Sequence, residues 1–126
     1  VKLVQLITAA VLFCAAAASH ALDVKPYSAA ALAEAQKADK PVALHFRADW
    51  CPTCRAQDKL LDAMKAEPGL DITVLAVNYD DEKDLKKQFA IRSQSTLVVL
   101  RGQKETSRSI NDTTAAGLRT ALKTAL

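Results

Sequence analysis

Cys51 and Cys54 stand in the run Trp50-Cys51-Pro52-Thr53-Cys54. A cysteine thiolate is a strong nucleophile and a soft metal ligand. Two at this spacing can exchange disulfides, close a small disulfide ring or bind a metal. The surroundings favour the first. Val42 to Phe46 reads as a short apolar strand, Ala48-Asp49-Trp50 as a loop, and Pro52 to about Ala66 as a helix. Cys51 then sits at a helix N-terminus, where free N–H groups and the helix dipole stabilise a thiolate. Pro52 fits the first helical position, where its missing N–H costs nothing. Cys54 lies one turn on, placed to resolve a mixed disulfide formed through Cys51.

The competing chemistries are weaker. A closed zinc site needs four ligands. Beyond Ala21 the chain offers Cys51, Cys54 and His45 alone among cysteines and histidines, so no metal site is expected. A purely structural disulfide would close a ring around two residues, which constrains the unfolded chain little. A non-catalytic carrier of Cu(I) is the alternative kept open, because two soft thiolates suit that ion. Met64 is the one methionine, so no methionine cluster supports it.

The elements that position the pair follow from patterning. Ser28 can cap a helix to about Ala38, which Asp39-Lys40-Pro41 ends. Leu60, Leu61 and Met64 give the helix after Pro52 an apolar stripe. Ile72 to Val77 is a nearly continuous apolar strand, as expected for one covered on both faces. Asp80 or Asp81 opens a helix to about Phe89. Thr96 to Leu100 is a third strand, Arg101 to Lys104 a turn, and Glu105 to Ile110 a polar edge strand. Asn111 or Asp112 caps a last helix reaching Leu126. The order α-β-α-β-α-β-β-α predicts an α/β fold with a mixed four-stranded sheet and helices on both faces. Strands joined through a helix should be parallel, and the last two antiparallel.

Composition narrows the class. The 126 residues are 50% hydrophobic and 25% charged, with three Gly, four Pro and a net charge of +3. That excludes a disordered tail, a low-complexity linker and a disulfide-dense mini-scaffold. Basic residues are scattered, so neither nucleic acid nor an anionic membrane is an expected partner. At the N-terminus, Lys2 precedes thirteen uncharged residues, Leu6 to Ala18, and then Ser19-His20-Ala21. This is the pattern of a secretory signal cleaved near Ala21, leaving a domain over 22–126. The apolar run is shorter than the roughly twenty residues of a membrane span, and Phe13 before Cys14 disfavours a lipoprotein site. The expected product is a periplasmic or secreted monomer without a membrane anchor.

The segment Phe46-Arg47-Ala48-Asp49-Trp50-Cys51-Pro52-Thr53-Cys54-Arg55 resembles the active site of the thioredoxin family. The resemblance extends to Val77-Asn78-Tyr79-Asp80 and to Ile91-Arg92-Ser93-Gln94-Ser95-Thr96-Leu97. It implies the thioredoxin fold and a thiol–disulfide oxidoreductase needing no cofactor beyond a Cys51–Cys54 disulfide. Its partners would be protein thiols or disulfides and a redox partner protein. It also implies an exposed nucleophile at Cys51, a more buried resolving Cys54, and substrate contacts at Trp50, Pro52, Thr53, Ser95 and Thr96.

Three positions depart from the family pattern. Family reductases usually carry Gly-Pro between the cysteines and strong oxidants Pro-His, so Pro52-Thr53 leaves the direction of electron flow open. His45 stands where the family has a buried acid that exchanges protons with the resolving cysteine, a task an imidazole can perform near neutral pH. Ser95 replaces a cis-proline. A cis bond before serine costs about 2.5–4 kcal/mol, so the Gln94–Ser95 bond is expected trans. Serine adds an N–H and a hydroxyl beside the sulfurs, and restoring proline is expected to raise activity.

Overall fold

The computed structural model describes residues 21–126. The expected leader, with Cys14 and His20, lies outside the described residues except for Ala21. The elements are β1 (Asp23–Pro26), α1 (Ala29–Lys37), β2 (Pro41–Arg47), α2 (Pro52–Met64), β3 (Thr73–Asn78), α3 (Lys83–Gln88), β4 (Thr96–Arg101), β5 (Lys104–Ile110) and α4 (Ala115–Lys123). The sheet order is β1-β3-β2-β4-β5. Among the described residues no helix is long and apolar enough to cross a membrane.

The sheet therefore has five strands, not four. β1 carries no apolar alternation and is held instead by its backbone. It pairs parallel with β3 from Asp23↔Thr73 to Pro26↔Ala76. Asp23 N–H donates to the Ile72 carbonyl and Tyr27 N–H to that of Ala76. A strand recruited this way leaves little side-chain signature.

A second expectation also fails. β2 and β3 are parallel, but β4, reached through α3, runs antiparallel to β2 and so to β3. A parallel crossover must carry the chain back along the sheet, about 20 Å for a six-residue strand. Six-residue α3 advances about 9 Å. The connection leaves β3 and re-enters β4 at the same end of the sheet. The hairpin from β4 to β5 is antiparallel as expected, with Gly102 at φ +57° in its turn.

Strand alternation divides the core into two layers. Ala43, Val74, Leu97 and Val99 face α2 and α4 and pack with Leu61, Met64, Leu118 and Leu122. Val42, Leu44, Phe46, Leu75, Val77, Val98 and Leu100 face the other way, towards Leu32 of α1 and Leu85 of α3. Each fully buried large aliphatic or aromatic side chain contributes about 1.5–3 kcal/mol. The same alternation sends His45 and Arg47 to the α2 face.

The starts of α1 and α4 fall where a side chain caps them. Ser28 Oγ accepts from Ala31 N–H, as expected. α4 is capped by Thr114, whose Oγ1 accepts from Gly117 N–H, and not by Asn111 or Asp112. Asp112 instead accepts from the N–H and hydroxyl of Thr114, so it braces the cap from outside. Asp80 and Asp81 do not open α3. Their N–H groups donate to the Asn78 side chain, and this turn delays the helix to Lys83.

Leu122 is fully buried where α4 meets the sheet. Leu122→Ala should cost about 2–5 kcal/mol. Urea titration should show a lower midpoint with an unchanged slope. An unmoved midpoint would contradict the docking of α4 described above.

Candidate active site

β2 ends at Arg47, and four residues later the chain enters α2. Cys51 is the N-cap of that helix, with extended dihedrals of φ −93° and ψ 111°. Its Sγ accepts from Cys54 N–H at 3.2 Å, the task a Ser or Asp oxygen performs in most helices. Pro52 begins the helix proper. The loop before it is pinned: Cys51 N–H donates to the Ala48 carbonyl, Arg55 Nη1 to the Asp49 carbonyl, and Arg47 Nη1 to the Asp49 carboxylate. Trp50 Nε1–H donates to Asp80 at 2.8 Å, while 57% of the residue stays exposed.

Both cysteines are free. They do not divide into exposed and buried as the resemblance implied: Cys51 is 2% exposed and Cys54 0%. Ala48 packs with both, and Ser95, the residue before β4, covers them. Ser95 Oγ lies 3.0 Å from Cys54 Sγ and 3.3 Å from Cys51 Sγ.

The two thiols are displaced in opposite directions. Burial works to raise the Cys51 thiol. Hydrogen bonds from the Cys54 side chain, the Ser95 hydroxyl and the backbones of Cys54 and Thr53 outweigh it, so Cys51 lies below the ordinary thiol value. Burial raises Cys54, and its hydrogen bond to Cys51 adds to the effect; Ser95 and the Ala48 backbone offset only part. When the pair gives up its first proton, that proton therefore leaves Cys51 and the second stays on Cys54.

Ser95 reaches the sulfurs in an unusual backbone state. Among the described residues no peptide bond is cis, and Ser95 has φ +63°, a left-handed conformation that is costly for a residue with a Cβ. Its N–H donates to the Phe46 carbonyl at 2.8 Å, and its carbonyl accepts from Asn111 N–H at 3.0 Å. The N–H is thus spent on β2 and does not face the sulfurs. Proline would need φ near −65° and would lose the bond to Phe46, so the structure removes the basis for expecting Ser95→Pro to raise activity.

His45 is buried at 1% exposure, but its ring nitrogens turn away from the cysteines. Nε2 lies 2.8 Å from Gln57 Oε1, and Nδ1 faces Asp58 at 3.6 Å. Gln57 was not anticipated. Its amide group donates to the carbonyls of Ser95 and Asp112 at 3.2 and 2.9 Å. Both amide protons are then used, Oε1 can only accept, and His45 Nε2 must carry a proton. Asp58 is gripped by Nε and Nη2 of Arg47. A polar residue in the stripe Cys54, Gln57, Leu61, Met64 was the available signal for Gln57. The chain His45–Gln57–Ser95 thus links the histidine to the sulfurs without direct contact.

The remaining expected residues separate. Pro52 is exposed and Thr53 half-buried at the start of α2. Thr96 is buried, and its hydroxyl donates inward to the Ser93 carbonyl. Among the described residues no group of three or more His, Cys, Asp or Glu could hold a metal ion.

A family profile described as Thioredoxin matches residues 24–124. A thioredoxin of Alicyclobacillus acidocaldarius subsp. acidocaldarius is 33% identical over 69 residues, 55% of this chain and 66% of that protein. Thioredoxin-T of Drosophila melanogaster is 34% identical over 64 residues, 51% of this chain and 41% of that protein. The aligned stretches span less than two thirds of these relatives' own length. Among solved structures, Trxlp from Edwardsiella tarda EIB202 is 37% identical with a TM-score of 0.74, covering 79% of this chain and 98% of that one. NaTrxh from Nicotiana alata, 19% identical with a TM-score of 0.69 over 82% of this chain and 91% of that one, shares the fold.

His45 supplies a pH signature. Burial lowers its pKa most; the Gln57 hydrogen bond and the Asp58 charge oppose this, and Arg47 adds to the lowering. The unfolded chain binds a proton at His45 below about pH 6.5, where the folded chain does not. This part of the stability is present above pH 6.5 and is lost as pH falls towards the folded value, by up to about 1.4 kcal/mol per pH unit. Melting temperatures between pH 7 and 5 should fall less steeply in His45→Gln than in the parent. Parallel curves would remove His45 as the source.

Proposed function

Because the chain belongs to the thioredoxin family, we propose that it is a thiol–disulfide oxidoreductase acting on protein substrates through Cys51 and Cys54. The observation that carries this is a pair of free thiols one helical turn apart, with Cys51 Sγ capping the helix start; its surroundings draw Cys51 below the ordinary thiol value and push Cys54 above it. A nucleophile must be a thiolate when substrate arrives, and a resolving thiol must hold its proton until the mixed disulfide exists.

In the reducing direction, the Cys51 thiolate attacks one sulfur of a substrate disulfide and releases the other as a thiolate, which takes a proton from water. Cys54 then loses its proton and attacks Cys51 Sγ. The bond between Cys51 and the substrate breaks, and the second substrate sulfur leaves and is protonated. Two electrons have passed from the cysteine pair to the substrate. Oxidation of a substrate dithiol is the same sequence reversed. With Cys51 almost covered, attack requires the substrate disulfide to approach closely at the start of α2. Exposed Trp50 and Pro52 supply the apolar rim for that approach. His45 acts as a positioning residue through Gln57.

The uncharged run from Leu6 to Ala18, followed by Ser19-His20-Ala21, supports work in the periplasm or outside the cell, where disulfides persist. A Cu(I) carrier would use the same two sulfurs, and the test separates the two.

Alkylation of the reduced chain at pH 6 should label Cys51 first. Cys54→Ser should trap a mixed disulfide with an insulin-type substrate, and Cys51→Ser should abolish exchange. Absence of exchange in the parent, with Cu(I) retained through both cysteines, would replace the oxidoreductase with the carrier.

A further inference from the structure

Among the described residues, the Ser95 hydroxyl is the one non-sulfur side-chain group hydrogen-bonded to both sulfurs, at 3.0 and 3.3 Å. It has a single proton to give, which goes to the thiolate once Cys51 is ionised. A Cys51 thiolate can only accept, so Ser95 Oγ–H donates to Cys51. Cys54 retains its proton, which it can turn to the Cys51 thiolate or to Ser95 Oγ. The Ser95 hydroxyl thus links the two sulfurs in a hydrogen-bonded chain that ends on the Cys51 thiolate.

That chain exists only in the dithiol state. Once the sulfurs join, Cys51 has no charge to receive the bond and Cys54 no proton to donate. A hydrogen bond to a charged group is worth more than one between neutral groups, so Ser95 stabilises the reduced pair over the disulfide. A redox pair whose reduced form is stabilised is the better oxidant.

We infer that Ser95 is a catalytic residue whose hydroxyl poises the Cys51–Cys54 pair as a disulfide donor, so that the preferred substrates are protein dithiols. This rests on the oxidoreductase function proposed above and adds its direction. In the balanced step, a substrate thiolate attacks the Cys51–Cys54 disulfide at Cys51, and the Cys54 sulfur leaves and takes up a proton. The second substrate thiol loses its proton and attacks the first substrate sulfur, which forms the substrate disulfide and releases Cys51 as a thiolate. Two electrons enter the pair, and the proton lost by the second substrate thiol balances the one taken up by Cys54. Exchange with another disulfide, protein or small-molecule, restores the pair.

Three neighbours hold the hydroxyl in place without touching sulfur. Phe46 takes the Ser95 N–H, and Asn111 and Gln57 bind its carbonyl. The conformation at φ +63° is thereby imposed on a residue that disfavours it. This makes glycine the informative substitution, because it accepts that φ freely and removes only the hydroxymethyl group.

Equilibrate the chain, Ser95→Gly and Ser95→Ala with reduced and oxidised glutathione at pH 7, and titrate Cys51 by its thiolate absorbance. Loss of the hydroxyl should make the pair more reducing by at least tenfold in the equilibrium constant, about 30 mV for two electrons. The Cys51 pKa should rise in both variants. A merely structural role would leave that pKa unmoved at equal melting temperature. Equal constants in parent and variants, or a shift the other way, would overturn the role of Ser95 while leaving the oxidoreductase intact. No exchange with glutathione in the parent would overturn both.

Discussion

The pairing of Phe46 with Thr96 fixes the chemistry of this protein. It is the last rung between β2 and β4, and Ser95 N–H continues it by donating to Phe46 C=O. β2 delivers Cys51 to the start of α2, and β4 begins at the same end of the sheet. One antiparallel register therefore decides which residue faces the sulfurs. A slip of one residue would turn the neighbouring side chains to the opposite faces. It would also separate His45 from Gln57, because alternation along β2 is what points His45 at α2.

Behind the sulfurs lies a polar network in an otherwise apolar layer. Burying Gln57 and His45 is tolerable only if every donor and acceptor is used. Among the described residues no buried side-chain nitrogen or oxygen lacks a partner. The network ends at Arg47 and Asp58, where the charges reach solvent. Gln57 ties three separate stretches together: β2 through His45, the entry to β4 through Ser95, and the approach to α4 through Asp112. Its removal would take the partner from the Asp112 carbonyl and from His45 Nε2, and would leave Asn111 alone to hold the Ser95 carbonyl.

Much of this was legible in the sequence. The thiol pair, its helix and the three inner strands announce themselves by residue type, periodicity and the Pro and Gly breaks. What stayed hidden has specific causes. β1 is held by backbone bonds, to which side-chain patterns are blind. The direction of β4 depends on the length of α3, which the Asn78 turn shortens beyond what the acidic residues suggested. The caps of α4 and α3 were misassigned because several capping residues stand together and only geometry chooses among them. Gln57 looked like an ordinary polar helix residue until its face was known. Ser95 was recognisable as a departure, but its positive φ depends on Phe46, Asn111 and Gln57, all remote in sequence except through the fold.

The tether between Trp50 and Asp80 gives the molecule an optical handle. Trp50 is the single tryptophan, its indole is fixed at one edge and largely in water, and the next residue carries the reactive sulfur. An excited indole passes an electron to a nearby disulfide far more readily than to a thiol. The emission of this one ring is therefore the expected reporter of whether the neighbouring pair is open or closed, with no dye needed.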